Sequence, residues 1–388
     1  MAEKIKENLL TSMFRCENFA ATCVKDTENP APGLPPVTTL KICSRGSEPL
    51  LFSYVPGAGL CQTGPGGAVI EKNILGQLRG LKDDDIDQYV GFFEKYGFLF
   101  PVSPDVYDSV PAETIIAFVD HIKATMRLMN AIAKRDYKSI LINTSYLLYS
   151  EQVELTVGDK IYSTCAHEFT TLVHSFTGFP DLSRDKEAFN TGKHTFPDTL
   201  VPGYAVDIKM FNNVRSGYAE PLFQHLFAMY TGLPNVSNEL RTIIDFFFHY
   251  QMEVGMFSEI SYGSIKYHDQ KQQENFTEPM QAALLDIARI VIAEEINYNI
   301  AGIHPVYNRN LTATWELETL LQAMYFSIFY MKAGVEIYKE CANPNCKREK
   351  FFLVSSTRAN KEYCCTQCAR AAAAQRYRNN HPELKTKK

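Results

Sequence analysis

No stretch of this chain stays apolar for the ~18 residues that a membrane-spanning helix needs, so none is predicted. The first residues, Met1-Ala2-Glu3-Lys4-Ile5-Lys6-Glu7, carry acids and lack an apolar centre, so no secretory leader is predicted either. The glycine-rich stretch Pro56–Gly67 contains Gly59-x4-Gly64 but continues with Pro65 and Gly66. A phosphate loop needs Lys and Ser/Thr there, and no G-x-G-x-x-G is present, so a turn-rich loop is predicted instead. Asp83, Asp85, Asp87 and Glu94 imitate a calcium loop, yet its sixth place is Gln88, where the turn needs a glycine. Acids at the head of a helix favour its dipole and explain the cluster without metal. His167-Glu168 begins like H-E-x-x-H, but Thr171 replaces the second histidine, and His174 is the nearest substitute on that face. In the middle of the chain, Asp181–Thr277, no Ser-His-Asp order or paired carboxylates stand out, and no catalytic residues and no organic cofactor are assigned.

What is present is a chain of 388 residues, 45% hydrophobic, long enough for two or three domains around a sizeable core. It has ten cysteines, five of them between Cys341 and Cys368. That crowding points to metal ligation in a reducing compartment rather than a disulfide framework, and the chain reads as cytoplasmic. The others (Cys16, Cys23, Cys43, Cys61, Cys165) read as small buried residues. Charge is uneven: residues 341–388 hold 11 Lys/Arg against 3 Glu, a net +8, which leaves −13 on the other 340. A basic tail on an acidic body suits a polyanionic partner, although solvated basic tails are also common.

The motif richest in chemistry is Cys341-x4-Cys346 with Cys364-x3-Cys368. Two close thiolate pairs can fill one tetrahedral Zn2+ shell, and a segment this short needs such a staple because it buries little apolar surface. Lys350–Val354 supplies a strand of a hairpin, and the second pair opens a helix. Knuckle, hairpin and ligand-bearing helix is a treble-clef order. One structural zinc is therefore expected on Cys341, Cys346, Cys364 and Cys368. Cys365-x2-Cys368 is also a legal second pair, but Cys364, directly after the aromatic Tyr363, is favoured as the ligand, and His381 is read as an exposed residue near the helix end.

Along the chain, residues 1–48 are weakly patterned, with a proline-rich loop at Asn29–Pro36. Strands are predicted at Thr38–Cys43 and Leu50–Val55, and a helix through Tyr89, Phe92, Phe93 and Tyr96 stopped by Gly97. A second helix is expected over Ala112–Lys134, where Ile115, Val119, Ile122, Met126 and Met129 recur at helical spacing. Tyr137–Leu155 mixes strand and helix signals. Asp181–Thr277 is aromatic-rich, with polar loops at Ser183–Lys193 and Tyr267–Asn275, and Phe246-Phe247-Phe248 reads as core. Leu285, Ala288, Ile292 and Ile296 mark a helix face, and after a turn at 302–305 a buried helix is predicted over Trp315–Ala333, stopped by Gly334.

Glu295-Ile296-Asn297, Gly302-Ile303-His304-Pro305, Leu320–Tyr325, the paired cysteines and Phe93–Leu99 together resemble a broad group of bacterial proteins with a C-terminal zinc finger related to the CGNR type. The likeness is strongest over about the last 110 residues; where that type reads Cys-Gly-Asn-Arg, this chain reads Cys368-Ala369-Arg370-Ala371. The resemblance implies a zinc finger and, by analogy with regulators bearing one, contact with DNA or RNA. The expected fold is α+β: an N-terminal segment (1–48), a mostly helical body with short strands (49–340), and a treble-clef-like finger with a basic tail (341–388). Lys347, Arg348, Lys350, Arg370, Arg376 and Arg378 are the candidate phosphate contacts. One finger alone would bind weakly, so two copies paired through the body would help. The competing readings are a ligand-binding or enzymatic body with a purely structural zinc, and a protein–protein adaptor.

Overall fold

The computed structural model describes residues 14–16, 18–28, 36–175, 194–195, 200–201, 204–206, 209, 213–214, 221–232, 236–269, 271–307, 313–331, 336–346, 350–355, 358 and 360–381. The proline-rich loop at Asn29–Pro35, the polar loop Ser183–Lys193 and the helix stop at Gly334 lie outside them. Strands β1 (Phe14–Cys16), β2 (Asn18–Glu28), β3 (Val37–Val55), β4 (Gly59–Thr63) and β5 (Val69–Glu71) lead into helices α1 (Ile74–Arg79) and α2 (Ile86–Tyr96). Strand β6 (Asp108–Pro111), α3 (Ala112–Lys134), α4 (Tyr137–Tyr149), β7 (Glu154–Val157), β8 (Lys160–Ser163) and α5 (Glu168–Ser175) follow. Next come β9 (His194–Thr195), β10 (Ala205–Val206), α6 (Pro221–Gly232), α7 (Asn238–Glu253), β11 (Phe257–Ser261) and β12 (Ser264–Tyr267). The chain continues through α8 (Glu278–Asn299), β13 (His304–Tyr307), β14 (Ala313–Leu317), α9 (Leu320–Tyr330), β15 (Glu336–Glu340), β16 (Phe351–Ser355) and α10 (Thr366–Asn380). The fold is α+β.

Two compact units are present: Met1–Ala133 with Val153–Thr164 and Ile296–Lys388, and Lys134–Gln152 with Cys165–Glu295. In the first, an antiparallel sheet runs β2-β3-β4-β5, with β6 also on β3. The two strands expected at Thr38–Cys43 and Leu50–Val55 are one 19-residue strand, β3. Its first half is held between β2 and β6 and its second half pairs with β4, while the polar middle, 45–48, lies at a register shift of the β2 ladder and is carried between the two paired halves. Within the glycine-rich stretch, residues 59–63 are strand β4 rather than loop, with buried Leu60 and Cys61.

Helix α2 ends where expected, at Gly97. Its φ is 80°, and a Cβ there would overlap the Asn18 side chain and the Phe19 carbonyl, so only glycine fits. The aspartates ahead of α2 have protein partners. Asp83 accepts from the fully buried Lys123 ammonium on α3 and from Tyr89, and Asp85 accepts from Gln88. Lys123 also sits 3.3 Å from Asp120, whose carboxyl burial pushes up to about 7. Helix α3 covers the expected residues, with Ile115, Val119, Ile122 and Met126 buried.

The helix expected over Trp315–Ala333 is shorter. Trp315 lies in β14, which pairs with β1 and β13, and α9 starts only at Leu320. Thr319 and Gln322 form a capping box that fixes this start. Its residues Leu320–Ile328 are buried except Gln322, which caps, while Phe329 emerges. The second unit packs α5, α7 and β11 around Tyr149 of α4, whose ring meets Phe169, Phe247 and Phe257 edge-on. Phe246, Phe247 and Phe248 are all fully buried. On α8 the buried stripe is Leu284, Ile287, Ala288, Val291 and Glu295; the expected Leu285 and Ile292 are only half-buried beside it.

Candidate metal centres

Strand β15 pairs antiparallel with β16, and the first cysteine pair is the turn beyond β15. The partner of the strand expected at Lys350–Val354 thus precedes Cys341 instead of lying between the cysteine pairs. The Cys341 amide donates to the Lys350 carbonyl, and the Cys346 amide to that of Asn343, which curls the knuckle. Helix α10 begins at Thr366 with Cys365 as its N-cap, so Cys364 sits just ahead of the helix and Cys368 in its first turn.

These backbone paths bring four sulfurs together. The Sγ atoms of Cys341, Cys346, Cys364 and Cys368 all lie within 4.8 Å of one another. Cys346 to Cys364 is 3.7 Å, Cys364 to Cys368 3.5 Å, and Cys368 to Cys346 3.6 Å. Thiolates ~2.3 Å from a shared tetrahedral ion would be about 3.8 Å apart, so the spacing is that of a coordination shell and not of a disulfide. Ile337, Phe352 and Val354 pack beneath Cys341 and Cys368. Burial first, and then the neighbouring sulfurs, push the Cys364 thiol well up.

The hairpin is tied into its own unit. Glu336 accepts from the Tyr54 hydroxyl and the Gly57 amide, Asn73 donates to the Phe351 carbonyl, and Asn130 accepts from the Tyr338 amide. The Arg79 guanidinium lies 4.7 Å over the Phe351 ring. Gly76 is required here: a Cβ would overlap the Phe351 carbonyl.

The candidate phosphate contacts are dispersed. Lys347 and Arg348 lie outside the described residues. Lys350 faces Glu340 at 3.8 Å and shares with Lys95, Gln77 and Tyr96 the wall of a groove of about 340 Å3. Arg370, Arg376 and Arg378 are exposed on α10, a helix with no acidic residue and only Cys368 and Ala372 buried. At ~100° per residue, Arg370 and Arg378 share a side with Gln367 and Ala374. Arg376 falls about 120° away from Arg370, beside Ala372 and Asn379, where a cavity of about 380 Å3 is bounded by Pro344, Glu362 and Tyr363. His381 packs at a tilt against Tyr377, with ring centroids 4.4 Å apart.

A second cluster lies in the other unit. Cys165, His167 and Glu295 are all buried, and their ligand atoms lie within 4.8 Å of one another. His167 Nε2 is 3.1 Å from Glu295 Oε1, and Nδ1 meets Glu294 Oε2 at 2.5 Å. Burial alone would make His167 less basic, but the bonds to Glu294 and Glu295 outweigh it and push its pKa up to about 9. Burial and the same two carboxylates push the Cys165 thiol well up. His174, the histidine weighed as a partner for His167, points elsewhere, 3.2 Å from the Tyr149 carbonyl and 3.6 Å from Glu151. The residues that do meet His167 are 127 and 128 positions away, beyond any spacing rule. The one local signal was a carboxylate on the apolar stripe of α8. No known protein family matches the chain, and no curated protein or solved structure does.

Proposed function

We propose that Cys341, Cys346, Cys364 and Cys368 hold one structural Zn2+ in a treble-clef-like finger, and that helix α10 contacts nucleic-acid phosphates, in a regulator working in the cytoplasm. The carrying observation is that helix: it is exposed nearly all round, free of acids, and carries Cys368 in its first turn. A four-sulfur shell suits zinc by ligand softness and geometry. Zinc and four thiolates together carry −2, so about +6 of the +8 on residues 341–388 remains for a polyanion. Arg370 and Arg378 sit two turns apart on one side, a spacing that lets both reach one backbone strand. Small alanines between them permit close approach.

The test is a salt titration of binding to duplex DNA and to single-stranded RNA by the full chain. Each phosphate contact contributes about 0.9 to the log–log salt slope on duplex DNA. Arg370→Ala and Arg378→Ala should each flatten the slope by about that amount, and Arg376→Ala by less. Unchanged slopes in both variants, or no binding by the intact chain at low salt, would refute the nucleic-acid reading and leave the finger a staple. The alternative, a body with chemistry of its own, is favoured by one observation: the buried Cys165, His167 and Glu295 cluster.

A further inference from the structure

We infer that Cys165, His167 and Glu295 form a second divalent transition-metal site, independent of the finger and built by the fold of the second unit. The argument starts from α8. Leu284, Ala288, Val291 and Glu295 lie on one stripe of this helix, and all four are buried. A carboxylate at the end of an apolar stripe is costly unless a charge or strong donors meet it. What meets it is the segment just before α5, which brings the His167 ring and the Cys165 sulfur to the same point.

The chemistry of the three donors is specific. Thiolate, imidazole and carboxylate together suit Zn2+ and its borderline neighbours, not Mg2+ or Ca2+, which take oxygen. The distance from His167 Nε2 to Glu295 Oε1, 3.1 Å, is close to the ~3.3 Å separation of two ligands on one tetrahedral zinc. The other face of the ring is supported in the manner of metal-bound histidines: Nδ1 is held by the Glu294 carboxylate. Such a carboxylate fixes the tautomer and leaves Nε2 to face the ion.

Three protein ligands are one short of a tetrahedral shell, the arrangement that leaves a place for water or substrate rather than the closed shell of a structural site.

The test is metal content of the full chain after Zn2+ loading and removal of excess, for wild type, the finger-disabled Cys341→Ser/Cys364→Ser protein, and Cys165→Ser, His167→Gln and Glu295→Gln. Two ions per chain are expected in wild type and one in each of the others. Because a core variant can fail to fold, the wild-type chain is also titrated with Co2+. Two spectrally distinct ions are expected, one with intense four-sulfur charge transfer and one with a weaker mixed-ligand spectrum that persists in the finger-disabled protein. One ion in wild type and none in the finger-disabled protein would overturn the inference. One ion in both would support it and sink the zinc reading of the finger instead.

Discussion

The two sulfur-bearing clusters are made in opposite ways. The finger gathers four cysteines from 28 consecutive residues, over a core of little more than Ile337, Phe352 and Val354. The Cys165–His167–Glu295 cluster joins segments 128 positions apart inside a packed aromatic unit. A local centre of that kind depends on its ion for shape, because few apolar contacts remain when the ion leaves. A centre assembled by tertiary packing exists before any ion arrives, so an ion there would not be needed for shape. Order of dependence, not ligand identity, separates the two.

The largest test of that difference is metal removal. In isolated fingers, structural zinc contributes on the order of 10 kcal/mol to folding. Chelation, or Cys364→Ser, should unravel α10 and expose the β15–β16 amides to hydrogen exchange, while α4, α7 and β11 keep their protection. Loss of protection across both units together would show that the finger is not locally dependent. Next in size is His167→Ala, which strands the fully buried Glu295; such broken buried pairs cost about 3–5 kcal/mol. Urea unfolding should show that loss with the finger metal retained. A variant as stable as wild type would mean that Glu295 is neutral in the fold.

The Lys123 cluster sharpens the comparison, because there the cation is supplied by the chain itself. Asp120 has a carboxyl pKa of about 7 in the fold against 3.8 for an exposed aspartate, and burial is the main cause. Between these values the folded state keeps a proton that the unfolded state has released. Stability therefore falls as pH rises from about 4 to about 7 and is flat beyond, with respect to this group. The shift corresponds to about 4 kcal/mol at most. Asp120→Asn should remove that slope, so the variant gains on wild type as pH rises. Parallel curves from pH 4 to 8 would show instead that Lys123 keeps Asp120 ionised throughout.

Legibility in the sequence followed the range of the forces. Helix α3 and the Gly97 stop were readable because periodicity and a left-handed glycine are local. The four cysteines were readable because one pair is spaced by a knuckle and the other by the start of a helix, both local. The failures are all cases of tertiary choice. Trp315 is apolar and preceded a helical run, yet pairing with β1 and β13 drew it into a strand. The polar middle of β3 became strand only because β2, β6 and β4 bind its two halves. The partners of His167 were invisible because nothing in residues 165–175 encodes where α8 will lie.

The smallest expected effect concerns the thiol left over beside the finger. Cys365 was a legal alternative to Cys364 by spacing, and its sulfur is only 3.8 Å from that of Cys364. The four sulfurs that converge nonetheless include Cys364 and not Cys365. Cys365 instead occupies the N-cap of α10, with extended φ and ψ of −148° and 166°, its sulfur, a weak acceptor, beside the Gln367 and Cys368 amides. Serine is among the better N-cap residues, since its hydroxyl accepts from the amides of the first turn. Cys365→Ser should therefore keep the finger's ion and raise stability slightly, by up to about 1 kcal/mol. Cys364→Ser should lose the ion. Equilibrium unfolding and metal content of the two variants together decide the matter. Loss of metal from Cys365→Ser, with retention by Cys364→Ser, would transfer the ligand role and make the convergence of the four sulfurs a poor guide to coordination.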